Sequence, residues 1–292
     1  MRKVLLATTA LVAMSVTAAQ ADISIKGAIE QKYVSGDAGD TMSTDGNITI
    51  TGSMTTDSGL TFTVVQNNSI MSVGGSAAVE DAFVSVSSAD MGTIQLGAGD
   101  DIFDRMDGAL GENNDIESNA LPAGASTDIG GAAQAINYMS PKVGGLQIGL
   151  YNEPGQDVSG FTATYSLAGA SIYYGSKEDA SNVGISASLA GFKINAGSRK
   201  VANTSEKASD IGVSYTLENG IKIAALNARG TTSGGAKVKY NNFGASYSIA
   251  PGASVAIEQS DADGAAAVSH GAVPAPVAAF LGGPAPPSAG YG

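Results

Sequence analysis

The strongest constraint on this chain is a two-residue alternation that recurs along most of its length. From Ile48 it reads ITITGSMTTDSGLTFTVVQNN, with apolar residues at Ile48, Ile50 and Met54, then at Leu60, Phe62 and Val64. TTDSG between the two runs is a turn, so the stretch encodes a hairpin with one apolar and one polar face. The polar face is Thr and Ser, without charge in either run. In a soluble sheet, a polar face turned to bulk water would carry more charge, so the pattern raises the question of which side is the interior.

Composition favours an unusual answer. Charged residues are 14% of the 292-residue chain, where a soluble domain carries roughly 25%. Hydrophobic residues are 43%, enough to exclude disorder by low hydrophobicity. A formal charge of -12 argues against nucleic acid as a partner. Met1, Arg2 and Lys3 precede a short apolar run from Val4 to Val16, and Ala19-Gln20-Ala21 fits a cleavage site. Residues 1–21 are therefore expected to be a signal peptide, with Asp22 starting the mature chain. No later apolar stretch reaches the ~20 residues of a spanning helix. An exported chain can still cross a membrane as a barrel of alternating strands, each about ten residues long.

About sixteen such segments can be read, beginning near Asp22, Asp45, Leu60, Val79, Gly92, Ala133, Leu146, Gly160, Ala170, Ala180, Phe192, Ala208, Ile221, Gly235, Ala253 and Gly264. Tight connections (TDSG, ADMG, PKVGG, LAGA, LAGF, LENG, APG) alternate with longer polar ones such as SGDAGDTMSTDG and RKVANTSEK. Short turns at one end and long loops at the other are the layout of outer-membrane barrels. The expected fold class is all-β: a transmembrane antiparallel barrel over residues 22–273. Ile23, Ile50, Phe62, Leu96, Ile148, Tyr165, Ile194 and Tyr215 should face lipid or a subunit interface. The hydroxylated face should line a water-filled lumen, leaving no hydrophobic core. Inward charges expected on the wall are Lys26, Glu30, Lys32, Lys193, Arg199, Lys222, Lys237 and Lys239, with Lys32 nearest mid-wall.

Gly99 to Gly131 is too long for an ordinary hairpin loop. It carries Asp100, Asp101, Asp104, Asp107, Glu112, Asp115, Glu117 and Asp128 against Arg105. A solvated surface loop, a calcium site and a loop folded into the barrel all fit that composition. For calcium, DDIFDRMDG lacks the one-three-five spacing of an EF-hand. No other cofactor or metal site is indicated.

The runs ITITGSMTTDSGLTFTVV, EDAFVSVSSADMGTIQLGAGD and FGASYSIAPGASVAI resemble the general porins of Gram-negative bacteria, most of all the sixteen-stranded trimeric type of alphaproteobacteria. The resemblance extends from Ala21 to about Asp263. It implies a homotrimer in the bacterial outer membrane, embedded in its lipid, whose pores pass small hydrophilic solutes and ions by passive diffusion. It also implies that Asp100 to Asp128 lies inside the barrel at a constriction. With a carboxylate-rich loop facing the neutral Asn47, Thr49, Thr51, Thr61 and Thr63, a cation preference is expected. The chain departs from the family after Val273: PAPVAAFLGGPAPPSAGYG carries five prolines from Pro274 to Pro287, which suit neither a closing strand nor the family's aromatic ending. The closing strand is therefore expected within Gly264–Val273 and residues 274–292 as a disordered tail, from a shifted reading frame or a foreign extension. A non-conducting structural or adhesive surface barrel is the alternative. An enzyme is not expected, because a Ser-His site would have to use His270, the chain's single histidine, beside that tail.

Overall fold

A computed structural model describes residues 21–35, 39–72, 78–99, 101–104, 110–111, 121, 124–131, 134–264 and 278–281. The expected signal peptide lies outside them, apart from Ala21. Strands are β1 (Ala21–Val34), β2 (Thr41–Thr55), β3 (Thr61–Ser72), β4 (Ala78–Ser88), β5 (Gly92–Ala98), β6 (Ala135–Met139), β7 (Leu146–Glu153) and β8 (Val158–Leu167). They continue as β9 (Ala170–Lys177), β10 (Ala180–Leu189), β11 (Phe192–Val201), β12 (Lys207–Thr216), β13 (Ile221–Thr231), β14 (Lys237–Ala250), β15 (Ala253–Gly264) and β16 (Ala278–Leu281). Each strand from β1 to β15 pairs antiparallel with its neighbours in sequence, a pure meander.

Those fifteen strands do not close on themselves. The ring is completed by the four-residue β16, which pairs Ala253 to Ala256 of β15 on one side. On the other side it meets Glu30 and Gln31 of β1. This corrects the expectation of a closing strand within Gly264–Val273, and places Ala278–Leu281, part of the expected disordered tail, in the sheet. Pro274, Pro276 and Pro284 bracket a proline-free window, and AAFL within it retains the amide hydrogens that pairing requires. Residues 265–277 and 282–292 lie outside the described residues.

The tight turns follow from local chemistry. In LAGA and LAGF, Ala168 and Gly169 have φ of 47° and 82°, and Ala190 and Gly191 have 50° and 84°. Two successive positive φ values are what a two-residue hairpin turn needs to match the twist of its strands, and glycine at the second position removes half the strain.

Alternation fixes the faces. Ile23 is 75% exposed, and Ile50, Leu96, Tyr165 and Ile194 are likewise exposed. Phe62, Ile148 and Tyr215 share their outward register. A solvated sheet would not hold so much contiguous apolar surface; a hydrocarbon surrounding accepts it, and β2–β14 each find backbone partners in the strands on both sides, as such a surrounding requires.

The inside is not uniformly polar. Ile102, Phe103, Ile129, Ala135 and Tyr151 form one buried cluster, Leu110 and Tyr173 a second, and Ala125, Leu226, Ala228, Val238, Tyr240 and Ala262 a third. The expectation of no hydrophobic core is thus corrected. Each cluster joins the segment after β5 to the inward face of the wall.

Candidate functional site

The described residues between Ala98 and Ala135 lie within the lumen, packed on the inward face of the wall. Their contacts are with residues of the inward register: Gly149, Tyr151, Gly160, Thr162, Tyr173, Gly175, Asn182 and Gly197 alternate with the outward Leu150, Phe161, Tyr174, Val183 and Ile194. Two glycines make the close approach feasible. A Cβ on Gly160 would sit 2.7 Å from the Phe103 ring, and one on Gly197 would sit 2.8 Å from Leu110. Side chains there would push the loop off the wall.

Polar anchors reinforce the apolar ones. Asp210, buried on β12, accepts hydrogen bonds from the Gly111 amide at 2.7 Å and from the Thr127 hydroxyl. Asn182 donates to the Thr127 carbonyl at 3.1 Å and accepts from Tyr173 at 2.8 Å. Lys177, the last residue of β9, lies 3.7 Å from Asp101 and 3.5 Å from Glu153. Its ammonium also sits 4.4 Å from the Tyr151 ring centroid, a cation–π contact that burial strengthens.

Asp101 is therefore an anchor rather than a pore-lining charge. Its Oδ1 accepts from the Phe103 and Asp104 amides at 2.6 and 3.1 Å, and the Asp104 carboxylate accepts from the Asp101 amide at 2.9 Å. Burial pushes the Asp101 carboxyl above the ordinary carboxylate range; the Phe103 and Asp104 amides and Lys177 offset part of the shift. Asp128 accepts from the Gly130 amide through its side chain, while its carbonyl accepts from Arg199 at 3.1 Å. Arg199 is also ion-paired with Glu206. Asp100, Arg105, Asp107, Glu112, Asp115 and Glu117 lie outside the described residues. Among the described residues, no group of three or more His, Asp or Glu is arranged to hold a metal ion.

On the wall, Lys26, Glu30 and Lys32 share the inward register of β1, opposite Thr49, Asp45 and Ser43 of β2. Lys32 sits two residues from the loop end of β1, so it is not a mid-wall cation. Lys193, Arg199 and Lys222 also take the inward register. Lys237 and Lys239 do not. They alternate with the buried Val238 and Tyr240 and share the face of the exposed Phe243 and Tyr247. The expectation of two inward lysines there is reversed because Val238 and Tyr240 cover Leu121 and Ala125 of the lumenal loop instead of meeting lipid. Lys177 and Asp210 were not foreseen as site residues. The doublet Tyr173–Tyr174 hides the alternation of β9, although counting inward from Tyr173 reaches Lys177.

A meander of alternating strands, apolar outside and narrowed within by its own loop, defines a membrane-spanning channel. The sequence matches the Gram-negative porin family model over residues 7–266, and the chain belongs to that family: it is an outer-membrane porin. No curated protein matches it. Among solved structures, a substituted form of Rh. blastica porin aligns with a TM-score of 0.70 at 16% identity, covering 89% of this chain and 99% of that one. The in-vitro folded outer membrane protein OmpT of Vibrio cholerae, in trimer form, aligns with a TM-score of 0.66 at 11% identity, covering 90% and 98%.

Proposed function

We propose that this porin passes small hydrophilic solutes by diffusion and prefers cations. The observation that carries the preference is the acidic character of the wall away from the loop's anchors. Glu30 and Asp45 are direct inward neighbours on β1 and β2. Asp81 takes the inward register of β4, 3.4 Å from Asn67, which is itself bonded to Thr49. Glu258 shares the inward face of β15 with the buried Ser260. Against these stand Lys32, Lys26 and, one residue in from the turn ends of β11 and β13, Lys193 and Lys222, so that above the turn-end rim the carboxylates outnumber the cations. Lys177 is occupied by Asp101 and Glu153, and Lys237 and Lys239 face outward, so none of the three offsets the lumenal carboxylates. Fixed charges in a pore with low-dielectric walls act on permeating ions at short range.

A homotrimer fits the outward surface of β1–β4. Gln31, Thr44, Gln66 and Asn68 take the outward register there among Gly27, Gly46, Gly52 and Ala82. Amides and bare backbone are poor lipid-facing groups but good subunit contacts.

Planar-bilayer recording across a salt gradient tests the reading. The reversal potential should report cation preference that fades as salt rises. The triple variant Glu30→Gln, Asp45→Asn, Asp81→Asn should move it toward zero. Anion preference in the unmodified porin, or an unmoved potential in the variant, would refute the assignment.

A further inference from the structure

Near each of its ends the lumenal loop is held by a cation that also holds the outer rim of the barrel. Lys177 closes β9 and lies 3.7 Å from Asp101 of the loop and 3.5 Å from Glu153, the last residue of β7. Arg199, on β11, donates from Nη1 to the Asp128 carbonyl at 3.1 Å and pairs through Nη2 with Glu206, in the connection from β11 to β12. The two bridges differ in what stands behind them. Glu153 is fixed in the sheet opposite Val158, so the Lys177 bridge ties the loop to the wall. Glu206 lies outside the strands, so the Arg199 bridge ties the loop to a hairpin tip.

That tip is built to move as one body. Val201 donates its amide to the Glu206 carbonyl at 3.0 Å. The Thr204 hydroxyl donates to the Val201 carbonyl at 3.1 Å and accepts from the Glu206 amide at 3.0 Å. With its amide and carbonyl both engaged, Glu206 follows the hairpin. The hairpin leans on its neighbour, Ala202 donating to the Asp179 carbonyl at 2.8 Å, while Asn203, Thr204 and Ser205 are exposed on the outer side.

A guanidinium is planar and permanently charged, so its two Nη atoms keep a fixed relation. Displacing Glu206 therefore draws the other Nη away from the Asp128 carbonyl. The side chains of Arg199 and Glu206 are 18% and 23% exposed, cover enough to spare the pair the screening of an open surface bridge. The motion arrives beside the loop's main fastening: Thr127, one residue before Asp128, is held by Asp210 and Asn182.

We propose that the β11–β12 hairpin is a handle on the lumenal loop, so that a macromolecule binding its tip from outside loosens the loop through Glu206 and Arg199 and alters flow through the pore. Arg199 is a positioning residue in this scheme. The inference rests on the chain being a conducting pore and is independent of its ion preference.

The test exploits the absence of cysteine from the chain. Ser205→Cys places one thiol at the hairpin tip and Thr41→Cys one at the loop end of β2, both at exposed positions, and each is coupled to biotin maleimide. Single-channel currents are recorded in planar bilayers before and after streptavidin is added to the outer side. The current before addition reports conduction itself, and the change on loading reports the coupling. Streptavidin on Ser205→Cys should raise the time spent in a flickering, loop-released state at least about fivefold, while streptavidin on Thr41→Cys should not. In Ser205→Cys with Glu206→Gln, the same load should change nothing relative to that variant's own unloaded current. Amide hydrogen exchange around Asp128, compared between loaded and unloaded Ser205→Cys, should accelerate as well, a readout that needs no conduction. Equal responses from the two handles would mean plain obstruction of the mouth, and a response surviving Glu206→Gln would mean a route that bypasses Arg199. Either overturns the proposal, as do unchanged current and unchanged exchange on loading Ser205→Cys.

Discussion

Replacing Asp210 with Ala should release the lumenal loop from the wall without opening the barrel. The carboxylate is 5% exposed and holds two donors from separate parts of the loop, the Gly111 amide and the Thr127 hydroxyl. Hydrogen bonds to a charged group are each worth about 1.5–3 kcal/mol, so the docked loop should lose about 3–6 kcal/mol. At about 1.4 kcal/mol per decade, the undocked population rises roughly 10²- to 10⁴-fold. The apolar contacts of Phe103 and Leu110 remain, so the loop should fluctuate rather than leave. Single-channel recording should show flickering absent from the unmodified porin, and Asp210→Asn, which retains one acceptor oxygen, should fall between the two. If Asp210→Ala conducts as steadily as the parent, with an unchanged thermal midpoint in detergent, then the carboxylate does not anchor the loop.

Three further substitutions probe other links. Gly230→Val would drive a Cβ onto the Gly124 carbonyl of the loop, and the overpacking should cost about 1–3 kcal/mol, read as a lower thermal midpoint. Asp101 has a raised pKa, so its protonated form favours the docked loop; that contribution is complete below its unfolded pKa of about 4 and lost as pH rises through the raised value. Channel noise should accordingly increase over that window, and Asp101→Asn should flatten the dependence. Ala279→Pro removes an amide from the centre of β16 and should sharply reduce heat-resistant assembled porin on semi-native gels.

The barrel was legible in the sequence because its signal is local. Each strand states its own faces through alternation, and starts such as Gly92, Leu146, Ala170, Ala180, Phe192, Ile221 and Ala253 coincide with those observed. What the sequence concealed is the contact between the loop and the wall, which joins residues far apart in the chain. Val238 and Tyr240 look lipid-facing to any rule that sends apolar residues outward, and only the loop beneath them reverses the face of Lys237 and Lys239. Asp101 looks like one of many lumenal acids until Lys177 and the neighbouring amides close around it. The closing strand was hidden for a different reason: four residues are too few to express a period.

Among the described residues, loop anchorage lies on one arc of the circumference. The buried clusters and their polar anchors draw on β6–β15, whereas the inward residues of β1–β3 include Thr49, Thr51, Thr61 and Thr63, short side chains that no buried cluster uses. The two arcs therefore face different consequences of mutation. On the anchoring arc, an inward change must satisfy a fitted interface, and its effects on permeation and on folding are entangled. On the hydroxylated arc, a Thr can become a Lys, a Glu or a Tyr at little cost to packing, so permeability can be retuned there one residue at a time. Variation in what such a pore admits has a ready path through β1–β3, and engineering of its selectivity should begin on the same arc.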